Sequence, residues 1–175
     1  MLSMLINKYP EVMNIIKRKL AVYVAEAERR YNYSAGSFWY RFVRPDDPAI
    51  GGTTKVYTAT FTNTAEEKIL ATAATVTVPV SNAYVYFGWY NDADYGVGGY
   101  LRVEKQGVEK HLIHARVPYQ AKNPKYLYID FDAVIVGWQQ EILDFIAYNE
   151  FGADQINMCF PFLFRIASKS ALNLE

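Results

Sequence analysis

The residues of this chain that could do chemistry are few and loosely grouped. Its only histidines stand close together in His111-Leu112-Ile113-His114, with Glu109 just ahead. Imidazole and carboxylate are metal ligands and proton carriers. In a strand, however, positions three apart point to opposite faces, so His111 and His114 diverge. Glu109 and His111 share a face, but two ligands do not make a site, and the expected role is polar residues on the surface of a strand. A second candidate is the loop Asn91-Asp92-Ala93-Asp94-Tyr95-Gly96-Val97-Gly98-Gly99. Asp92, Asp94 and Gly96 match part of a calcium loop, but a third alternate oxygen ligand and the distal glutamate are missing. Asp, Asn and Gly are favoured in turns for backbone reasons alone. A third candidate is Asp130 with Asp132, which would share a strand face in Tyr126-Leu127-Tyr128-Ile129-Asp130-Phe131-Asp132. Paired carboxylates suit glycoside hydrolysis only if they flank a cleft. The chain shows no Ser–His–Asp order, no P-loop and no Gly-rich loop leading from a strand into a helix. We therefore expect a non-enzyme with no catalytic residues, no metal ligands and no cofactor.

The elements that would position such residues are mostly strands. From Ser37 onward, apolar and aromatic runs alternate with turn signals about every ten residues. The runs are Phe38–Val43, Val56–Phe61, Leu70–Val80, Tyr84–Tyr90, Tyr100–Lys105, His111–Tyr119, Tyr126–Val136 and Asn157–Ile166, with Ile142–Tyr148 readable as strand or the start of a short helix. No internal repeat argues for a propeller or β-helix. Eight strands in two packed sheets is the jelly-roll number. The expected fold is all-β, a jelly-roll sandwich or barrel of about eight strands preceded by a helix. Phe160, Phe162 and Phe164, at alternate positions of the last strand, should face the core and seal the sandwich beside the first strand. Pro161, at the opposite parity, fits an edge or bulge. The core should draw on Phe38 or Trp39, Val76, Val78, Phe87, Leu101, Val103, Ile129, Phe131, Phe160, Phe162 and Phe164.

The N-terminal segment has a different period. Met13, Ile16, Leu20, Tyr23, Val24 and Ala27 recur at helical spacing after Pro10, which suits a first helical position. A helix over about 11–29 is expected, although Leu20–Ala25 could also be a strand. Its basic triplet Lys17-Arg18-Lys19 beside an apolar stripe suits a membrane surface or a partner, and more simply a solvated helix face. The chain then divides into a helical arm, 1–36, and one jelly-roll domain, 37–175, with Tyr31–Gly36 as a hinge.

Composition bounds the function. Lys plus Arg and Asp plus Glu both number 18, a net charge of zero, which argues against a general nucleic-acid binder. The single cysteine, Cys159, excludes an internal disulfide and reads as a buried thiol. The start lacks the charged and apolar regions of a signal peptide, and no apolar run spans a bilayer, so a soluble protein made inside a cell is expected. The 15 tyrosines, 10 phenylalanines and 3 tryptophans point to pleated surfaces and to much contact area. Ile16, Leu20, Tyr23, Trp89, Tyr90 and Tyr95 are the candidate interface residues. Trp89, Tyr90, Tyr95 and Tyr100 could otherwise form an aromatic platform for a sugar ring, as in a non-catalytic carbohydrate-binding module. A membrane-active sandwich using the Ile15–Val24 helix is a third class.

In size, in the arm before Phe38, in its tyrosine-rich strands and in the last strand, Asn157–Ile166, the chain resembles the small single-jelly-roll capsid proteins of tailless icosahedral viruses with an internal membrane, such as those infecting thermophilic hosts. The resemblance is architectural, and no motif carries a functional residue across. It implies a structural protein of the virion, assembled in the host cytoplasm. Its partners would be copies of itself, as a homodimer or lattice, a second capsid protein and an underlying viral membrane, with no specific contact to nucleic acid.

Overall fold

Pro10 opens a long helix because its fixed φ suits the first turn and its missing N–H has no partner to lose there. In the computed structural model this helix, α1, runs Pro10–Tyr31. The structure describes residues 8–44, 47, 59–61, 66–70, 75–92, 99–121, 126–150, 155–157 and 159–173. Asn32 ends α1 in the left-handed conformation at φ 59°, which asparagine tolerates better than most residues. The amides of Asn32 and Tyr33 then donate back to the carbonyls of Arg29 and Glu28, satisfying the last turn.

Among the described residues after α1, most of the regular structure is strand. In chain order these are β1 (Phe38–Phe42), β2 (Ala59–Phe61), β3 (Glu66–Lys68), β4 (Val76–Thr77), β5 (Ala83–Asn91), β6 (Gly99–Lys105), β7 (Val108–His114), β8 (Leu127–Ile129), β9 (Ile135–Trp138), β10 (Ile142–Asn149), β11 (Gln155–Asn157) and β12 (Cys159–Ser168). A single helical turn, α2 (Arg116–Gln120), follows β7. The pairing is antiparallel throughout and nested: β1 with β12, β2 with β11, β3 and β4 with β10, β5 with β8 and β9, β6 with β7. Two further pairings, β5 with β12 and β6 with β10, gather these pairs into two five-stranded sheets, except β2 with β11, which form a two-stranded sheet of their own. The first sheet has the order β1-β12-β5-β8 with β9 also on β5, and the second β3-β10-β6-β7 with β4 on β10. The ambiguous segment Ile142–Tyr148 is thus strand β10. The expected long strands at 111–119 and 126–136 are instead cut short, one by α2 and the other by a turn at 130–134.

The first sheet is buried on both faces. On its inner face Tyr84, Tyr86, Trp89, Cys159 and Leu163 pack against Leu101, Val103, Leu143, Phe145 and Ala147 of the second sheet. Its outer face carries Phe38, Val85, Phe87, Phe162, Phe164 and Ile166, which Met13, Ile16, Leu20 and Ala27 of α1 cover. The expectation for the last strand is therefore corrected. Its phenylalanines are buried, but on the side of the sheet away from Val76, Val78, Leu101 and Val103. Period-two alternation shows that residues share a face and not which layer covers it. Between Phe38 and Trp39 the structure buries Phe38 and leaves Trp39 49% exposed, while Ile129 and Phe131 are only half-buried at the margin of the helix-side core. Cys159 is buried and free.

An irregularity in β5 decides where its aromatics point. Phe162 lies opposite Gly88 and Leu163 opposite Tyr86, so Phe87 is an extra residue on β5, a β-bulge. Before it, Tyr84 and Tyr86 face inward; after it, the inward parity moves to Trp89. Gly88 is required there, because a Cβ would stand 1.9 Å from the carbonyl oxygen of Tyr128 on β8. Pro161 sits where β12 has run past β1, whose pairing ends at Phe42 opposite Phe164. Phe162 touches Phe42 and Phe164 at ring-centroid distances of 5.3 and 5.2 Å. Truncating it to alanine should cost about 3–5 kcal/mol of unfolding free energy in urea titration. A near-neutral Phe162→Ala would mean that α1 does not cover this face.

Candidate functional site

Two groups of polar side chains are built into the seams of this fold. The first fixes α1 to the sheet beneath it. Glu28, on the buried face of the helix, accepts the backbone N–H of Phe38 at 3.0 Å, tying the end of α1 to the start of β1. The Tyr31 hydroxyl donates to the carbonyl of Asn82 at 2.5 Å and accepts from the amide of Gln139 at 3.1 Å. Arg30 lies over the Trp138 ring at 4.2 Å, and Lys19 donates to the carbonyl of Phe131 at 3.0 Å. Helix, β1, β5 and β9 therefore meet at one corner.

The second group bridges the two sheets. His111 turns inward from β7, and its Nδ1 lies 2.7 Å from the hydroxyl of Tyr86 on β5. Its Nε2 lies 3.6 Å from Oδ2 of Asp130, beyond the end of β8. A ring nitrogen facing a carboxylate carries the proton, so Nδ1 is the acceptor and Tyr86 the donor. Asp130 is held in turn: its Oδ1 accepts the amides of Asp132 and Ala133 at 2.9 and 3.1 Å, and the Tyr128 hydroxyl donates to Oδ2 at 3.3 Å. Burial lowers the pKa of His111 against the opposing pull of Asp130. Burial also raises Tyr86 well above the ordinary tyrosine range, with Asp130 adding to it. For Asp130 burial acts upward, but the amide hydrogen bonds and Tyr128 outweigh it and its pKa is lowered. A neutral imidazole between a neutral phenol and a carboxylate is a strut, and its hydroxyl end is sealed in the core.

The histidines do diverge, as their spacing requires. His114 is exposed and its Nδ1 accepts the Arg116 amide at 3.2 Å. His111, by contrast, is not a surface residue but the inter-sheet bridge. Asp130 and Asp132 do not share a strand face either, because β8 ends at Ile129 and Asp130 organises a turn. Nothing local marks the Tyr86–His111–Asp130 set, since its members come from three separated segments. Of the candidate interface residues, Ile16 and Leu20 of α1 are fully buried against the first sheet and Trp89 is fully buried between the sheets, against Tyr86 and Phe145. Tyr23 is half-buried at the helix margin. Tyr90 stacks on Phe160 at 4.8 Å. Tyr95, Asp94 and Gly96 lie outside the described residues. Trp89 cannot stack on a sugar without leaving the core. Among the described residues, no three His, Cys, Asp or Glu side chains gather as a metal set, and no helix is long and apolar enough to cross a membrane.

No family model matches this chain, and no curated protein is similar to it.

The His111 strut has a pH signature. Its folded pKa lies below the unfolded value of about 6.5, so the folded state binds fewer protons near that pH. Its contribution is complete above about 6.5 and is lost as pH falls through the folded value. Urea midpoints from about pH 8 to pH 5 should fall for the unmodified protein and fall less steeply for His111→Gln. His111→Leu, which has no acceptor, should lose about 1–3 kcal/mol at neutral pH, where Tyr86 is left without one. Equal slopes would remove His111 from the role of buried neutral bridge.

Proposed function

We propose that this chain is a jelly-roll capsid protein, a non-catalytic subunit that associates with copies of itself, and with a second capsid protein over a viral membrane, to form an icosahedral shell. The nested strand pairing carries the reading. A long antiparallel hairpin rolled up so that its outer pair lies beside its inner pairs yields two facing sheets with interleaved strands, and the orders β1-β12-β5-β8 and β3-β10-β6-β7 fit that path. The step from jelly roll to shell subunit is an analogy of fold, because one fold serves many functions. It is supported by the distribution of exposed apolar residues. β1 and β7 end their sheets in the described strand order, and edges are where sheets recruit further chains. Trp39 on β1 is half exposed and stacks on Tyr40 at 5.3 Å. Val108 and Leu112 on β7 are exposed as well. A net charge of zero sets little repulsion between copies.

Light scattering over a concentration series tests the proposal. The mass should rise above 20.0 kDa as concentration increases. Trp39→Ser combined with Leu112→Ser should move that rise to about tenfold higher concentration, since buried aromatics dominate association energies. A mass fixed at 20.0 kDa at the highest attainable concentration would overturn it. Deleting residues 1–30 is a poor substitute, because it would bare Phe162 and Phe164.

A further inference from the structure

One row on the inner face of the first sheet carries charge. Arg41 on β1 lies directly opposite Arg165 on β12, and Arg165 directly opposite Tyr84 on β5. Two cations facing each other across a strand pair repel. Asp47 stands between them with a fully buried carboxylate: Oδ2 is 2.8 Å from Arg41 Nη2, and Oδ1 is 3.4 Å from Arg165 Nη1. Arg165 Nε also donates to Asn82 Oδ1 at 2.6 Å. Among the described side chains of this group, two guanidinium groups stand against one carboxylate, one positive charge in excess.

The row also leaves donors without acceptors. Arg41 Nε and the Tyr84 hydroxyl are buried and have no hydrogen-bond partner among the described residues. Buried polar groups are almost always paired, and an exception points to a missing water or ion. A water would satisfy the two donors but not the surplus charge. An oxyanion satisfies both, because its oxygens accept from the flat guanidinium fork and from a phenol together. A phenylalanine at position 84 would fill the same space with no orphaned hydroxyl, so the hydroxyl has a use only if something accepts from it. The arginine side chains keep contact with solvent, at 22% exposure for Arg41 and 11% for Arg165.

We propose that Arg41, Arg165 and Tyr84 form a binding site for a small oxyanion, a phosphate or a carboxylate, at this end of the sandwich. Asp47 holds the two guanidinium groups apart and in place, and Asn82 fixes the orientation of Arg165. The site is independent of the shell reading, since it is built within one chain.

The test is titration of the full, unmodified chain with inorganic phosphate and, separately, with acetate, against chloride at equal ionic strength. The readout is the side-chain Nε–H resonance of Arg41 in nitrogen-15 spectra, because phosphate also stabilises proteins nonspecifically and a melting temperature alone would mislead. A saturable shift with phosphate, with acetate or with both supports the site, and the stronger titrant identifies which kind of oxyanion it takes. Tyr84→Phe should fold normally and bind that titrant about five- to tenfold more weakly. Arg41→Gln should remove the saturable response. No saturable shift beyond chloride in the unmodified protein would overturn the proposal. So would a Tyr84→Phe variant that binds as tightly as the unmodified chain, a result that stands even if Arg41→Gln fails to fold.

Discussion

The structure depends on burying both faces of the β1-β12-β5-β8 sheet. A sandwich ordinarily needs only one apolar face per sheet, with the other face solvated. Here the face turned away from the sandwich carries Phe38, Val85, Phe87, Phe162, Phe164 and Ile166, and these side chains cannot stand in water without a large cost. The helix is what removes them from water. Met13, Ile16, Leu20 and Ala27 lie on its buried side, so α1 forms a third layer and does not serve as a detached arm. The second sheet follows the ordinary rule, with Leu101, Val103, Phe145 and Ala147 inward and Arg102, Glu104 and Asp144 outward. The difference between the sheets is a difference in what each has to cover it.

The polar side chains inside the molecule lie where layers join. Glu28 and Tyr31 hold the helix layer at one corner. Lys105 of the second sheet reaches the carbonyl of Val136 and the Glu141 carboxylate, at 2.8 and 2.7 Å, and so joins the sheets at another. His111 joins them at a third through Tyr86 and Asp130. Apolar packing holds layers together but allows sliding, whereas a directed hydrogen bond between layers permits one register. The same geometry explains why titratable groups with shifted pKa values are present without a reaction centre being needed to account for them. Burial and close neighbours perturb such groups in structural struts as readily as in active sites.

The arrangement also bears on what the surface is free to do. Aromatic content this high need not all be contact surface, because the three-layer packing fully buries several of the largest rings, among them Trp89, Tyr84, Tyr86 and Phe145. Among the described residues, the large apolar side chains left outside are Trp39 on one sheet edge, Val108 and Leu112 on the other, Ile15 and Val22 on the free side of α1, and Tyr33 and Val80 in the connections. These are separate strips and not one broad face. An assembly built on them would join copies through several small contacts in different directions, as a closed lattice requires.

Much of the architecture was legible from local pattern. Helical spacing from Met13 to Ala27, alternation in the strands and the turn signals between them follow from backbone geometry that each short segment obeys independently. Those patterns determined the class of fold, the long N-terminal helix and the burial of Phe160, Phe162 and Phe164. They could not determine which layer covers which face, because alternation is identical whether a helix or a sheet lies opposite. The bulge at Phe87 is equally invisible in sequence, and by shifting parity it sends Trp89 into the core. The Tyr86–His111–Asp130 bridge and the Arg41–Asp47–Arg165 row belong to the tertiary structure alone. Their members are far apart in the chain, and only the nested strand pairing brings them within reach of one another.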